Sequence, residues 1–267
     1  MRWKEQVKNR FSVKSDANKW SNIYTTNRPN VEALTFRSRR DYTLDYVLNN
    51  IAEDSLILDL GCGAGPVLKK LSRYNYSLIG VDYSYDMLEH ARNNLGELCK
   101  DIPLISSDCE HTPFTDNSFD CVICLGVISY AESIDGALKE IYRILKPGGT
   151  LILSYRNKFN SIILDPINFI KNILKLPFKM FILENKAIGR SLTRKEVLDN
   201  IDNIGLTIRV EKQIGFGNVA INNIVISDGN LAIKINKFLD KILLLFKLKR
   251  LYRLLSDVHI IVLTKNF

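Results

Sequence analysis

Apolar positions along this chain follow two rhythms: short unbroken runs, and longer stripes in which they recur every three or four residues. The first run, Leu56-Ile57-Leu58-Asp59-Leu60, reads as a parallel strand covered on both faces, since such strands are apolar on alternate and intervening positions alike. It exits through Gly61-Cys62-Gly63-Ala64-Gly65, and Val67, Leu68 and Leu71 then predict a helix packing back onto the sheet. Similar runs predict strands at Leu78-Ile79-Gly80-Val81-Asp82, within Ile102–Cys109 together with its loop, and at Cys121–Leu125. Three more follow at Thr150–Ser154, Leu206–Ile214 and Val258–Thr264. Helical stripes alternate with them. One is entered at Asn27-Arg28-Pro29-Asn30 and runs to about Asn50, with Leu34, Tyr42, Leu44, Val47 and Leu48 as its apolar material. Met87, Leu88, Ala91 and Leu95 follow a Ser84 cap; Ile134, Leu138, Ile141, Ile144 and Leu145 follow a Ser133 cap. Thr193-Arg194-Lys195-Glu196 is a capping box for a short helix that stops at Gly205. Strands alternating with helices imply an open α/β sheet.

Two segments depart from this pattern. Residues 157–186 form an insertion rich in Ile, Phe, Leu and Lys, interrupted by Asp165-Pro166 and Pro177. No run in it approaches the roughly 20 apolar residues of a membrane span, so no transmembrane segment is expected. Leu231 to Leu255 reads as one strongly amphipathic helix, with Ile235, Phe238, Leu239, Ile242, Leu245 and Phe246 on its apolar stripe. Lys234, Lys237, Lys241, Lys247, Lys249, Arg250 and Arg253 are opposed there only by Asp240. Four readings stay open: an ordinary helix packed on the domain, a peripheral membrane contact, a lid over an apolar acceptor, and a dimer face.

Composition changes the picture little. With 267 residues, 46% hydrophobic and 25% charged, the chain has the balance of a globular domain with a large core. The net charge of +8 raises nucleic acid or an anionic membrane as partners, but much of the excess resides in 231–255. The opening, Met1-Arg2-Trp3-Lys4-Glu5-Gln6, is charged rather than apolar, and the five cysteines are an odd number; a reduced, cytoplasmic setting is expected. Cys121 and Cys124 spell C-x-x-C, yet residues three apart on a strand point to opposite faces, so no metal site is expected.

The glycine turn after the first strand is a ligand-binding turn, because glycine lets a ligand approach the main chain closely. It is not the dinucleotide fingerprint, for Pro66 stands where the third glycine would be. Asp59 before the turn, and Asp82 ending a second strand, make a more specific pair. Together with the helix-Lys146-Pro147-Gly148-Gly149-strand junction, these residues make the stretch from about 55 to 155 resemble the class I S-adenosylmethionine (SAM) methyltransferases. The resemblance is to the small-molecule branch that includes ubiquinone and menaquinone biosynthesis enzymes. It implies a Rossmann-like, doubly wound sheet of seven strands, six parallel and the last antiparallel. It also implies a helical cover at 1–52 and a SAM-binding domain at 53–267 that contains the insertion and the basic helix.

By the same resemblance Asp59, Gly61, Gly63 and Gly65 line the cofactor, Asp82 accepts from the ribose hydroxyls, and Tyr83 and Met87 pack near the adenine. Asp108 and Cys109 match the positions that meet the adenine edge, while Leu125 and Gly126 form the mouth of the site. Trp20 and Tyr24 look like members of the cover, and Arg40 lies roughly where some relatives place an arginine for the cofactor carboxylate. Plainer readings stand beside these: core packing for Met87, a turn-stabilising side chain for Asp108, a solvated helix residue for Arg40. At the exit of strand four neither an Asn/Asp-Pro-Pro-aromatic turn nor a Pro-Cys nucleophile occurs, so nucleic acid is not the expected acceptor. Tyr130 borders the acceptor or packs in the core, and His111 is a second candidate for taking a proton. Displacement at a sulfonium releases a neutral thioether and needs no acid, so alignment outweighs proton transfer. The expected activity is methyl transfer from SAM to a small, partly apolar acceptor, at O, C or N; alternatives are a methyltransferase acting on RNA or another macromolecule, and a SAM-binding protein without turnover.

Overall fold

The computed structural model describes residues 3–12, 22–24, 30–160, 189–216, 220–221, 224–225 and 229–267. In chain order its main elements are α1 (Trp3–Ser12), α2 (Val31–Asn50), β1 (Leu56–Leu60), α3 (Leu68–Leu71), β2 (Ser77–Asp82), α4 (Tyr85–Leu95), β3 (Leu104–Ser106) and β4 (Phe119–Leu125). There follow α5 (Ile134–Ile144), β5 (Leu145–Arg156), α6 (Arg194–Ile201), β6 (Leu206–Ile214), α7 (Gly229–Leu245), α8 (Lys249–Leu255) and β7 (Val258–Lys265). A small ladder pairs Ala220–Ile221 with Ile224–Val225.

The seven strands run in the order β3-β2-β1-β4-β5-β7-β6. Neighbours from β3 to β5 are parallel, and β7 is antiparallel to both β5 and β6, which leaves six strands pointing one way, as the sequence implied. Strand order reverses between β1 and β4, the place where open sheets of this kind hold ligands beyond their carboxyl ends. Strand alternation divides the core between two faces. Ile57, Cys121, Ile123, Ile152 and Ile260 pack under α2, α3 and α4 through Leu44, Val47, Leu68, Leu71 and Leu88. On the other face Leu58, Leu60, Val122, Cys124 and Leu153 meet Leu138, Ile141 and Val197 of α5 and α6. Cys121 and Cys124 therefore do face opposite ways, all five thiols are free, and among the described residues no cluster of His, Cys, Asp and Glu is arranged to hold a metal.

The caps fall where the sequence puts them. Asn30 accepts from Ala33 N, Ser84 from Met87 N and Ser133 from Gly136 N, and Thr193 with Glu196 closes a capping box. Strand five begins at Leu145 rather than Thr150, because Lys146, which precedes Pro147, is driven out of the helical region. Helix α6 likewise ends at Ile201, short of Gly205.

The larger departure is at 231–255. The single helix expected there is broken at Lys247, whose φ of +53° is left-handed. The buried face of α7 is Ala232, Asn236 and Leu243, whereas Phe238, Leu245 and Phe246 of the expected stripe are 62%, 69% and 66% exposed. Among the described residues no helix is long and apolar enough to cross a membrane. Residues 161–186 of the expected insertion, and Trp20, lie outside the described residues.

Candidate functional site

The exit of β1 is held before any ligand arrives. Gly61 N and Cys62 N both donate to Val81 O, at 2.7 and 2.8 Å, which pins the turn to β2. Gly61 has φ +76°, and a Cβ there would lie 2.1 Å from Val127 Cγ2, so no other residue fits. Two adjoining cavities open at this edge. One of about 280 Å³ lies between the glycine turn, α1, α2 and the exit of β4; the other, of about 60 Å³, lies between the ends of β1 and β2 and the loop Ser107–Glu110. Gly61, Asp82, Tyr83 and Val127 belong to both walls.

Asp82 stands at the junction. Its Oδ2 accepts from Gly63 N and its Oδ1 from Ser84 N, each at 2.9 Å. Burial pushes its carboxyl above the ordinary range, and these backbone donors pull the other way. A carboxylate has about four acceptor directions, so Asp82 retains capacity for a ligand hydroxyl beside its backbone donors Gly63, Tyr83 and Ser84. Asp59, buried behind it, has an Oδ2 with no hydrogen-bond partner among the described residues. Burial, reinforced by the nearby Asp82 charge and opposed by Arg39, raises its pKa to about 7.

Arg39 faces the same cavity. It is 7% exposed, its Nε has no partner among the described residues, and one amino group donates to Tyr24 Oη at 3.4 Å. Its guanidinium lies over the Phe36 ring, 4.4 Å from the centroid, and against Gly126, where a Cβ would come within 2.9 Å of it. An acid, Asp59, and two basic side chains, Arg39 and Arg10, together with Ser129, each with a buried polar atom unused among the described residues, thus line one space. Such orphans are costly in a folded protein, and a ligand carrying both an ammonium and a carboxylate satisfies acid and base alike.

The remaining wall is aromatic. Phe11 meets Tyr130 edge-on at 5.1 Å, and Tyr24 meets Phe36 at 5.9 Å. Helix α1 lies across this wall, with Trp3 Nε1 donating to Tyr130 O at 2.8 Å and Ser84 Oγ to Phe11 O at 3.1 Å. Lys4 of the same helix reaches Asp108 Oδ2 at 2.6 Å, at the rim of the smaller cavity.

Comparison with known proteins shows the family. Residues 58–153 match a family model described as a methyltransferase domain. The chain is 33% identical to the demethylmenaquinone methyltransferase of Lactobacillus johnsonii over 190 residues, 67% of this chain and 75% of that one. The chain belongs to the class I SAM-dependent methyltransferases. It is also 34% identical to a ubiquinone/menaquinone biosynthesis C-methyltransferase of Haemophilus ducreyi, but the match covers 49% of this chain and spans about half, 51%, of that relative. In fold it is similar to the magnesium protoporphyrin IX methyltransferase of Synechocystis solved with bound S-adenosylhomocysteine (SAH), with a TM-score of 0.64 at 16% identity, covering 99% of this chain and 100% of that one.

Within this methyltransferase the structure brings most of the sequence candidates together. Tyr24, Asp59, Gly61, Gly63, Asp82, Tyr83, Met87, Leu125, Gly126 and Tyr130 line the larger cavity, and Asp108 and Cys109 the smaller. Three candidates lie elsewhere. Gly65 lines neither cavity; the place of its Cβ is 3.4 Å from Ala91 Cβ, so its smallness brings the turn close to α4. Arg40 turns to Asp41, 2.7 Å away, and lies over the Tyr24 ring, whereas its neighbour Arg39 lines the larger cavity, as do Arg10, Arg156 and Arg190. His111 is exposed on its loop and lines neither cavity. His259 is buried, as its strand position suggests: Nε2–H donates to Arg253 O at 2.8 Å, Nδ1 accepts from Tyr155 Oη at 3.0 Å, and burial lowers its pKa to about 4.

Arg39, Phe11 and Phe36 were not singled out from the sequence. A signal for Arg39 was present. Val31, Thr35, Arg39, Thr43 and Val47 recur every four residues and are all buried, so Arg39 sits in the inward line of α2 and Arg40 one residue, about 100°, away.

Proposed function

We propose that this chain transfers a methyl group from SAM to a small, partly apolar acceptor. The observation that carries the reading is that Asp59, Arg39, Arg10 and Ser129, each with a buried polar atom that has no partner among the described residues, line one cavity with the half-open carboxylate of Asp82. In this reading Asp82 accepts from the two ribose hydroxyls, while Asp108 and the Cys109 backbone meet the adenine edge. Asp59 faces the ammonium and Arg39 the carboxylate of the amino-acid end. Gly61, Gly63 and Gly126 leave room for close approach, and Tyr83, Met87 and Leu125 supply apolar walls.

SAM, when bound, supplies an electrophilic methyl on a sulfonium whose departure leaves a neutral thioether. The residues around it therefore orient and exclude water, which contributes about 7–11 kcal/mol in favourable intramolecular cases. Phe11, Phe36 and Tyr130 form the apolar side on which the acceptor sits. Tyr130 borders that space, beside the acceptor. Quinone- and sterol-directed enzymes among the relatives support an acceptor of this size and polarity. The free thiols suit a cytoplasmic setting, and the lack of base-methylation motifs disfavours nucleic acid.

Incubation of the purified protein with methyl-labelled SAM and a cell extract, followed by separation of lipid, small-molecule, protein and nucleic-acid fractions, tests this. Label in the organic-soluble small-molecule fraction is expected. Label confined to RNA, or tight SAM binding with no label anywhere, overturns it.

A further inference from the structure

We propose that α7 and α8 form an amphipathic hairpin that docks this protein on the surface of an anionic lipid bilayer. Leu231, Phe238 and Leu245 recur every seven residues and so run along one line of α7. Lys234 and Lys241 run beside that line, and the buried Ala232, Asn236 and Leu243 lie on the opposite side. The apolar line is open: Phe238 is 62% and Leu245 69% exposed, and on either side of the break Phe246 and Leu248 are 66% and 43% exposed. Monomeric proteins seldom leave so many large apolar side chains adjacent and uncovered.

Charge selects the partner. Lys234, Lys237, Lys241, Lys247, Lys249 and Arg250 make no ion pair among the described residues, and the single acid of the hairpin, Asp240, is engaged by Tyr252 Oη. A second copy of this chain would bring the same cations against themselves across a two-fold axis. A bilayer with anionic headgroups instead takes the apolar line at the acyl boundary and the lysines at the phosphates, with their stems lying along the apolar surface.

The hairpin is held to the body at its far end. Asn157 Nδ2 donates to Leu254 O and Ser256 O, at 2.7 and 2.9 Å, and Phe216 N donates to Asn236 Oδ1 at 2.8 Å. Only Ser256 and Asp257 separate α8 from Val258, which with Arg156 lines the larger cavity. A docked hairpin therefore sets the cavity mouth beside the lipid.

The test is co-sedimentation of the full chain with vesicles of neutral phosphatidylcholine and with vesicles carrying about one third phosphatidylglycerol. Binding to the anionic vesicles that weakens with salt is expected, with little on the neutral ones. Lys237→Glu with Lys241→Glu should reduce the partition about tenfold or more, and Phe238→Glu with Leu245→Glu should abolish it. SAM affinity by calorimetry should be unchanged in both, which shows that the variants are folded and keeps this outcome separate from that of the methyl-transfer reading. Absence of binding to anionic vesicles, equal binding to both kinds, or a dimer in solution that Phe238→Glu dissociates overturns the proposal.

Discussion

Asp82 and Asp108 are both carboxylates at strand exits that the sequence assigns to one nucleoside, yet the fold treats them differently. Asp82 is fixed by backbone N–H groups of the glycine turn after β1 and of the α4 cap, and neither donor belongs to a side chain that moves. Asp108 takes Glu110 N at 3.0 Å on one oxygen and the Lys4 ammonium on the other, from a helix at the far end of the sequence. In the proposed reading the ribose end is thus prebuilt by the sheet, whereas the adenine end exchanges a lysine for its ligand. Preorganised groups lose nothing on binding; exchanged ones return only the difference between two partners.

The strongest way to break this contrast is at the turn itself. Gly61→Ala adds left-handed strain of about 1–2 kcal/mol, and its Cβ collides with Val127. SAM binding by calorimetry should be lost and the melting temperature lowered. Gly96→Ala, also at positive φ but with nothing within 4 Å of its Cβ, should leave SAM binding intact.

Next in size are the two acids. Asp82→Ala should weaken SAM affinity by about 1–3 kcal/mol, through lost ribose bonds and two backbone donors left unpaired. Asp108→Ala should cost less, about 0.5–1.5 kcal/mol, since Lys4 already competes there. Equal losses in parallel titrations would break the contrast.

Much of this was legible beforehand. Buried parallel strands are near-continuous apolar runs, and β1, β2 and β4 appear where those runs stand; Asn30, Ser84, Ser133 and Thr193 cap because their side chains have little else to do at a helix start. Arg39 was hidden in Arg37-Ser38-Arg39-Arg40, where a single residue decides which guanidinium enters the cavity and an inward line of threonines does not read as apolar. The break at Lys247 was hidden too, for a lysine in left-handed conformation carries none of the turn chemistry of Gly or Asn. Lys4 was out of reach because its partner lies more than a hundred residues away.

Asp59 gives a pH-dependent sharpening. With its pKa raised to about 7, it is protonated in the empty protein below that pH and ionised above it. Only the ionised form attracts an ammonium. SAM affinity should therefore rise about tenfold per pH unit between about 5 and 7 and level off above. Binding near pH 6.5 should release a proton, seen as a dependence of the heat on buffer, and Asp59→Asn should flatten both. The same shift makes the empty wild-type protein lose stability relative to Asp59→Asn as pH rises from about 4 to 7.

The smallest effect has the opposite sign. Lys4→Ala removes the competitor at Asp108, a half-exposed pair worth about 0.2–1 kcal/mol, and should tighten SAM binding by that amount. Weaker binding would show that Lys4 helps the ligand rather than yielding to it.

Isothermal titration of the wild-type chain with SAM, SAH and NAD goes straight to the claim that this crevice is shaped for a nucleoside joined to an amino acid. Saturable one-to-one binding of SAM and SAH, with no heat from NAD, is the predicted result. Preference for NAD, or no binding of either adenosyl amino acid by the folded protein, would contradict it.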